Sequence, residues 1–334
     1  MVLACREVGA SSLFRLADTP PPCPVDHSSY GGSEAIDIAW ASDYHQLKGL
    51  SASLTSAVEA VQRPLRAHIM VQRSAISYFQ KLFGVRPGCM SVEAAVGRAV
   101  VILHPFDPEM VRKSIPSMTI EMLKERGRLD SPEQAIRLYM HKLLDCKFVL
   151  WLDSDTIVRQ DVSPLFNMFS KTNQTIAFAV RAKPMKYMMN VSNPCNFQPD
   201  VWDKLMEQPI YNSGVYIVNL ERWARKRMVE RIEGYVSEHN DCGGKLWQAA
   251  DQVPLLLSFF LPVLRGKHPD YSVVGAEWNL DEMRCETKLQ PMRLQLAHVV
   301  HWAGPHKPWN ADGCYREHWL PHFRRFSKVF PADR

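Results

Sequence analysis

The chain has 334 residues, of which 46% are hydrophobic and 22% are charged, and this composition is that of an ordinary globular protein. Such a length allows one large domain or two modest ones, with a core that folds without a metal or disulfides. Forty basic and 35 acidic residues leave a net charge of +5, which is too mild and dispersed to indicate nucleic-acid binding. No apolar stretch reaches the roughly 18 residues that would predict a transmembrane helix.

The first 35 residues have the composition of a flexible tail. Four prolines between Pro20 and Pro24 interrupt any helix or central strand, and Gly31-Gly32-Ser33 follows them. We therefore expect residues 1–35 to be disordered or loosely packed.

From Ile36 onward the sequence alternates between two patterns. Short apolar runs favour buried strands, and apolar residues three or four positions apart favour helices. The predicted strands span 36–41, 67–71, 99–103 and 148–152, and the predicted helices span 45–61, 74–83 and 131–144. This alternation predicts an α/β fold with a single, largely parallel sheet covered by helices on both faces.

The helix before the fourth strand has a defined start. Ser131 is a cap residue, Pro132 suits the first turn, and Gln134 completes a predicted capping box. Farther along, residues 183–209 are rich in proline and asparagine, which favours a long loop.

Two carboxylates stand at the end of the fourth predicted strand. Phe148 to Asp155 has the sequence FVLWLDSD, so a buried strand delivers Asp153 and Asp155 to the edge where open α/β sheets bind ligands. If the chain bends at Ser154, both carboxylates can face one cation, which offsets the cost of placing like charges together. For an isolated pair, a solvated strand end or a cap for the helix near Ser163 is the alternative.

The acidic segment is one of several motifs that follow one another in a fixed order. The others are Ala41 and Asp43 after the first strand, Arg137, Tyr211-Asn212-Ser213-Gly214-Val215, Asp251-Gln252, and His301-Trp302-Ala303-Gly304-Pro305-His306-Lys307-Pro308-Trp309. Together they resemble the nucleotide-sugar glycosyltransferases of the GT-A fold, specifically family 8, which includes glycogenins, bacterial lipooligosaccharide galactosyltransferases and plant galacturonosyltransferases. The resemblance covers about Ile36 to Trp309. It departs from the family at His45, where asparagine is frequent.

The resemblance implies an enzyme that moves a hexose, galactose or glucose, from a UDP-sugar to an acceptor hydroxyl and retains the α configuration. It implies that Asp153, Asp155 and His301 bind Mn²⁺, with Mg²⁺ as the alternative, and hard carboxylates with one imidazole suit these ions. It implies that Asp251 and Gln252 are the catalytic residues, with Asp251 binding sugar hydroxyls and Gln252 near the anomeric carbon. The residues that it assigns to the nucleotide, diphosphate or sugar are Ala41, Asp43, Arg137, Ser154, Asn212, Ser213, Gly304 and Lys307.

Elementary chemistry supports several of these roles. Gly304 has no Cβ and lets the backbone approach a phosphate, and Lys307 supplies a point charge for it. Gln252 carries a neutral amide, which is a poor nucleophile, so we expect it to stabilise a positively charged sugar rather than to bond to it. His298 competes with His301 as the metal ligand, and the spacing to Gly304 and Lys307 favours His301.

These motifs predict a catalytic domain over 36–310, between the tail at 1–35 and a basic, aromatic segment at 311–334. In the last segment Trp319, Phe323, Phe326 and Phe330 recur at helical spacing, which favours a helix packed on the domain. Its arginines also suit a peripheral contact with an anionic membrane.

Several questions stay open at this level. The acceptor is a glycan, a lipid or a protein-linked group, and the oligomeric state is unknown. A glycogenin-like protein that glucosylates its own tyrosine, at Tyr187, Tyr211 or Tyr216, is one alternative function, although no tyrosine-rich linker supports it. A non-catalytic nucleotide-sugar-binding scaffold is another, and the intact set of metal and phosphate residues disfavours it.

Localisation depends on how the cysteines are used. With Met1 taken as the native start, the sequence predicts a cytoplasmic protein or one peripheral on a cytoplasmic membrane face. A trimmed fragment from the Golgi lumen is the alternative, which would suit the eight cysteines and the sequons at Asn173 and Asn190. The sequence contains no C-x-x-C pair, so its cysteines do not indicate a zinc site.

Overall fold

A mixed eight-stranded sheet organises the computed structural model, which describes residues 34–86, 89–94, 98–117, 131–181, 183–248 and 251–331. Most of the predicted tail, 1–33, therefore lies outside the described residues. The strands are β1 (Ile36–Ala41), β2 (Leu65–Gln72), β3 (Ser91–Glu93), β4 (Ala99–Phe106), β5 (Phe148–Leu152), β6 (Thr156–Val158), β7 (Ile176–Ala179), β8 (Val215–Asn219), β9 (Tyr271–Val274) and β10 (Val299–His301). The large sheet has the order β3-β4-β2-β1-β5-β8-β7-β9, and β6 pairs with β10 separately.

Helices connect these strands. The α-helices are α1 (Leu47–Ala60), α2 (Ile76–Phe83), α3 (Pro132–Ala135), α4 (Met140–Leu143), α5 (Ser163–Phe169), α6 (Trp202–Met206), α7 (Leu220–Arg225), α8 (Met228–Asp241), α9 (Gln252–Leu264), α10 (Pro291–Leu296) and α11 (Leu320–Val329). Short 3₁₀ turns cover Arg73–Ala75, Pro108–Ser114, Ile136–Tyr139, Met185–Tyr187, Ala276–Trp278 and Arg316–His318. Within the described ranges no helix is both long and apolar enough to cross a bilayer.

The order in which the chain adds strands to the sheet reverses at β1. From β1 the chain adds β2 and then β4 on one side, and it returns to place β5 on the other side of β1. Both β2 and β5 run parallel to β1. In open α/β sheets ligands bind at the carboxyl ends of strands at such a switch point, which here lies between Ala41 and Leu152.

Apolar layers cover both faces of the sheet, as the sequence predicts. Alternate side chains of β1 point to opposite faces, so Ile38 and Trp40 join the layer that contains α1, while Ala39 joins the layer that contains α9. All three are fully buried. A smaller apolar cluster contains Trp302 and Trp319 and closes the C-terminal side of the molecule.

Strand bounds agree with the sequence more closely than helix bounds. β1 and β5 have the predicted limits, and β2 and β4 extend the predicted strands by a few residues. The single helix predicted over 131–144 is instead α3, a 3₁₀ turn and α4 in succession.

The predicted capping box is wrong. Ser131 makes no side-chain cap hydrogen bond, and its Oγ is buried without a partner among the described residues. Gln134 lines a cleft instead of folding back over the helix start. Pro132 does occupy the first turn, as predicted.

The predicted long loop, 183–209, is mostly irregular, and its two ends lie next to each other. An isolated bridge pairs Pro184 with Pro209, and α6 is the longest regular element within it. A disulfide joins Cys195 in this loop to Cys242 at the end of α8. The bridge therefore joins the two ends of the loop, and the disulfide ties its middle to helix α8.

Helix α11 packs on α1. Trp319 and Phe330 at its two ends are 3% and 2% exposed. Arg325 donates to Glu59 of α1 over 2.7 Å, and His322 lies 2.8 Å from the same carboxylate. The aromatic residues of this segment thus contribute to the core, and two of its basic residues pair within the fold.

Candidate active site

A cleft of about 790 Å³ opens where β1 and β5 end, within the size range of small-molecule sites. Twelve of the predicted site residues line it, and they are Ala41, Arg137, Asp153, Ser154, Asp155, Asn212, Ser213, Asp251, Gln252, His301, Gly304 and Lys307. The remaining one, Asp43, is not among its lining residues. Motifs separated by up to 266 positions, from Ala41 to Lys307, therefore meet in one place.

Two carboxylates and one imidazole form the centre of the cleft. The pairing of β6 with β10 sets His301 opposite Thr156, which brings the imidazole to the acidic turn. His301 Nε2 lies 3.2 Å from Asp155 Oδ1 and 4.0 Å from Asp153 Oδ2. Adjacent ligands of an octahedral ion with bonds of about 2.1 Å are roughly 3 Å apart, so these three donors fit one divalent cation.

Asn279 orients the imidazole. Its Oδ1 lies 3.1 Å from His301 Nδ1, and its side chain is buried. With Nδ1 donating to this oxygen, Nε2 keeps its lone pair directed at the carboxylates. His298 points elsewhere: it stacks on Trp278 at 3.9 Å between ring centroids, and its Nδ1 lies 3.0 Å from the Asp161 carbonyl oxygen.

Gly214 makes this close arrangement possible. A Cβ at this position would meet His301 Cε1 at 2.2 Å and Asp153 Oδ2 at 2.7 Å. Its backbone also belongs to the site, because its carbonyl oxygen accepts the Asp153 amide at 2.8 Å. The segment Asn212-Ser213-Gly214 therefore forms the turn before β8 and also leaves room for the side chains of His301 and Asp153.

Arg137 joins the central carboxylates to a second acidic residue. It donates to Asp251 through Nε and Nη2, each over 2.6 Å, and through Nη1 to Asp153 over 3.2 Å. Bidentate pairing of this kind holds both partners in one geometry. Burial lowers the pKa of Arg137, but Asp251 and Asp153 outweigh it and raise the pKa, so the guanidinium stays charged.

The two central carboxylates experience different surroundings. Burial raises the pKa of both, and for Asp155 the charges of Lys307 and His301 outweigh burial and hold the pKa below its usual value. For Asp153 burial prevails over Arg137, and Asp155 adds repulsion, so the pKa is raised. Lys307 Nζ donates to Asp155 and, over 2.9 Å, to the Trp302 carbonyl oxygen.

Gln252 is held with its amide oxygen toward the β8 turn. Oε1 accepts from Ser213 N over 3.3 Å and from Ser213 Oγ over 3.2 Å. On its other side Nε2 lies 3.2 Å from Met188 Sδ. The amide thus has a defined orientation at the wall of the cleft.

At the β1 side, Ser154 and Asp43 have structural contacts. Ser154 Oγ donates to the Ala41 carbonyl oxygen over 3.0 Å and so connects the acidic turn to β1. Asp43 Oδ1 accepts from the amides of His45 and Gln46 over 2.8 and 3.0 Å, which holds the turn before α1. Gln46, rather than Asp43, lines the cleft here.

Sequence reasoning missed several lining residues. Glu133 is the clearest, because one carboxylate oxygen accepts from Gln72 over 2.6 Å and Oε2 is buried without a hydrogen bond among the described residues. It precedes Arg137 by four residues, so the shared helix face was a usable signal. The others are Gln46, Gln134, Trp151, Arg181, Met188, Met283, Arg284 and Glu286.

Comparisons with known proteins identify the family of the chain. The profile described as "Glycosyl transferase family 8" matches residues 37–313. Human glycosyltransferase 8 domain-containing protein 1 is 21% identical, over 96% of this chain and 88% of that protein. Bovine glycosyltransferase 8 domain-containing protein 2 is 23% identical, and the match spans 58% of each chain.

Solved structures share the fold. The galactosyltransferase LgtC in complex with donor and acceptor sugar analogs superposes with a TM-score of 0.56 at 19% identity, over 88% of this chain and 95% of LgtC. The bifunctional glycosyltransferase WbbM superposes with a TM-score of 0.62 at 13% identity, over 90% of this chain and 52% of WbbM. At these identities the likeness concerns the fold alone.

Proposed function

This chain belongs to glycosyl transferase family 8 and has the GT-A fold, and we propose that it is a metal-dependent, retaining hexosyltransferase that uses a UDP-sugar. The observation that carries the proposal is the convergence of Asp153, Asp155 and His301 beside the Arg137–Asp251 pair in one cleft. The proposed donor is UDP-galactose or UDP-glucose. The product is an α-linked glycoside of a glycan, lipid or protein-linked acceptor.

Asp153, Asp155 and His301 would hold Mn²⁺ or Mg²⁺. Their ligand atoms all lie within 4.8 Å of one another, and carboxylates with one imidazole suit Mn²⁺. When bound, the ion would supply positive charge to the β-phosphate as the bond to the sugar breaks. Asn279 supports the proposal because it presents Nε2 of His301 to that point.

Gly304 and Lys307 would receive the diphosphate. Gly304 has φ of +137°, a conformation that favours glycine, and apart from its chain neighbours no atom of the described residues lies within 4 Å of a Cβ placed on it. The backbone is therefore open to a close-lying phosphate. Lys307 pairs with Asp155, and its flexible stem lets the ammonium group pair instead with a phosphate oxygen.

The sugar would lie against Asp251, Ser213 and Asn212. Asp251 offers carboxylate oxygens that Arg137 holds in place, and such an acceptor pair suits vicinal hydroxyls. The amide oxygen of Gln252 would face the anomeric carbon and stabilise the positive charge that develops there. The acceptor hydroxyl would attack from the side of the leaving diphosphate, with its proton passing to a departing phosphate oxygen.

A donor screen tests this function directly. The chain is incubated with radiolabelled UDP-sugars, with Mn²⁺ or with a chelator, and UDP release and sugar transfer are both measured. We expect metal-dependent transfer from UDP-glucose or UDP-galactose and an α-linked product by NMR. An inverted product would contradict retention, and nucleotide binding without turnover would favour the scaffold alternative.

Self-glucosylation would appear in the same screen as label on the protein without added acceptor. Of the three tyrosines considered, Tyr211 and Tyr216 are 5% and 2% exposed, whereas Tyr187 is 66% exposed. Only Tyr187 among them offers an accessible hydroxyl. Its replacement by phenylalanine would abolish such labelling if the alternative were correct.

We also propose that the protein works in an oxidising compartment. The bonds Cys195–Cys242 and Cys285–Cys314 favour this, because disulfides persist mainly in secretory and extracellular environments. This corresponds to the luminal alternative left open by the sequence. Mass spectrometry of the protein from its native source, alkylated before reduction, would detect both bonds, and free thiols at these cysteines would contradict the proposal.

A further inference from the structure

Two arginines line the cleft without a role in the chemistry described so far. Arg181 follows the carboxyl end of β7, and Arg284 lies in the segment after β9. Arg181 Nε lies 3.0 Å from Asp281 Oδ2, and these two side chains are 17% and 18% exposed. Arg284 has no acidic partner within the described ranges, and its Nε is buried without a hydrogen bond.

Strand order places Arg181 farther from β1 than Ser213. Along the edge of the sheet, Ala41 ends β1, Asp153 follows β5, Ser213 precedes β8 and Arg181 follows β7, and these four strands are neighbours in that order. The last pair of the β7–β8 ladder is Phe178 with Tyr216, three residues before Arg181 and three residues after Ser213. A donor with its nucleotide at β1 and its sugar at Ser213 therefore leaves the β7 side to the acceptor.

Charge is unbalanced at this end of the cleft. The pKa of Arg181 is lowered, chiefly because the side chain is buried. Asp281 raises this pKa, and the nearby charge of Arg284 lowers it further. Asp281 neutralises one of the two guanidinium groups. Glu286 also lines the cleft, but its carboxylate is 71% exposed and lies near His306.

A guanidinium group that is partly removed from water without a partner is costly, and its planar fork matches a carboxylate or a phosphate. A neutral sugar offers hydroxyl groups but no opposite charge. Met188, which is partly exposed, also lines the cleft and offers apolar surface that suits the face of a sugar ring. The far end of the cleft thus has the chemistry of a site for an anionic sugar.

We propose that the acceptor carries an anionic group, a carboxylate or a phosphate, which Arg284 binds together with Arg181. This inference rests on the proposed glycosyl transfer, because it assigns the acceptor of the same cleft. The anionic group itself does not react. The acceptor oxygen bonds to the anomeric carbon, the bond from that carbon to the diphosphate breaks, and the hydroxyl proton leaves on UDP.

Matched acceptor pairs test the proposal. The pairs are methyl glucoside and methyl glucuronide, methyl galactoside and methyl galacturonide, and glucose and glucose 6-phosphate, each with the best neutral UDP-sugar and Mn²⁺. We expect the anionic member of at least one pair to have kcat/KM about 10- to 100-fold higher, the range that a charge-assisted hydrogen bond provides. Equal responses within every pair, from a protein that transfers sugar to any acceptor, overturn the inference.

Arg284→Gln is the decisive variant, because it removes the charge and leaves the Arg181–Asp281 pair intact. We expect it to lose most of the preference for the anionic acceptor, with the midpoint of thermal unfolding measured alongside. Arg112→Gln is the matched control, since Arg112 is 77% exposed and lies outside the cleft, and it keeps the preference. A preference that survives Arg284→Gln overturns the inference.

A donor arm separates the two sources of a carboxylate. UDP-glucose and UDP-glucuronate are compared with a neutral acceptor in the wild-type protein and in Arg284→Gln. If the arginine affects only the choice of donor, the assignment to the acceptor is overturned. Absence of transfer from every UDP-sugar contradicts the proposed function instead, so the two failures are distinguishable.

Discussion

Two clusters of possible metal-ligand side chains lie at opposite ends of the central strands. One contains Asp37, His68 and Cys146 near the start of β1, and the other contains Asp153, Asp155 and His301 beyond the end of β5. In each set the metal-type donor atoms lie within 4.8 Å of one another. The spacing of the donor atoms alone therefore does not distinguish the two.

The cluster at the start of β1 is closed. Arg66 donates to Asp37 over 2.6 and 2.7 Å, and His68 Nε2 lies 2.9 Å from the same carboxylate. His68 Nδ1 in turn lies 3.0 Å from His104 Nε2. These groups satisfy one another, and none of them lines the cleft.

The cluster beyond β5 is open. Its carboxylates face the cleft, and Asp153 is 26% exposed at its side chain. Lys307, which pairs with Asp155, is on a loop and is itself 27% exposed. A binding site therefore needs charged groups that can exchange their protein partner for a ligand. In a structural cluster the charges keep a permanent partner within the protein, such as Arg66.

The largest effect is expected at the open cluster. Asp155→Asn removes one proposed metal ligand, and because a bound cation contributes several kcal/mol to such a reaction, kcat/KM should fall by about 1000-fold or more. Sugar transfer measured across a Mn²⁺ titration checks this. Full activity in Asp155→Asn would show that the assignment of the metal site is wrong.

The matched change in the closed cluster should affect stability instead. Asp37→Asn removes a buried carboxylate that pairs with both Arg66 and His68, so the free energy of unfolding should fall by about 3 kcal/mol, as measured by urea denaturation. Activity per folded molecule should persist, since Asp37 lies outside the cleft. A loss of activity with unchanged stability would reverse the roles of the two clusters.

The closed cluster also makes a prediction about pH. Burial raises the pKa of Asp37, but His68 and Arg66 outweigh it and hold the folded-state pKa below the usual value. The stabilisation is therefore present above the unfolded pKa of about 3.9 and is lost as pH falls through the folded pKa. Urea unfolding at several acidic pH values should show a smaller pH dependence in Asp37→Asn than in the wild type.

A smaller effect is expected from crowding the open cluster. Gly214→Ala adds a Cβ against His301 and Asp153, so we expect kcat/KM to fall about 100-fold because misplaced catalytic groups lose alignment. Gly234→Ala is the control, as nothing lies within 4 Å of its Cβ on helix α8, and it should stabilise the protein by about 0.4–1 kcal/mol. Unchanged kcat/KM in Gly214→Ala would contradict the close packing of the donors.

The smallest effect is expected where a charged cluster is more exposed. Glu59 pairs with Arg325, and the two side chains are 27% and 42% exposed. Glu59→Gln should lower the free energy of unfolding by about 1 kcal/mol or less, because solvent screens such pairs. If urea denaturation showed that the free energy of unfolding falls by more than about 3 kcal/mol, this exposed pair would stabilise the protein as much as the closed cluster does, contrary to the prediction.

Much of the candidate site was predictable because its residues belong to short local motifs. Asp153 and Asp155 follow an apolar run, and Gly304 and Lys307 have fixed spacing from His301. Glu133 was missed because its segment was interpreted as the start of a helix. Asn279 was missed because it does not belong to a recognisable motif. Arg181 and Arg284 stand in segments without local periodicity, so only their meeting in the cleft distinguishes them.

The sequence by itself determined the alternation of strands and helices, the limits of β1 and β5, and the family motifs, because burial periodicity and local spacing are written along the chain. Tertiary structure decided how distant groups meet. The pairing of β6 with β10 brings His301, which the motif spacing favours over His298, to Asp155 across 146 positions. It also decided that Asp37 is closed by Arg66 and that Asp155 opens to a cleft, because contacts between distant residues depend on sheet register and packing, which no local pattern records.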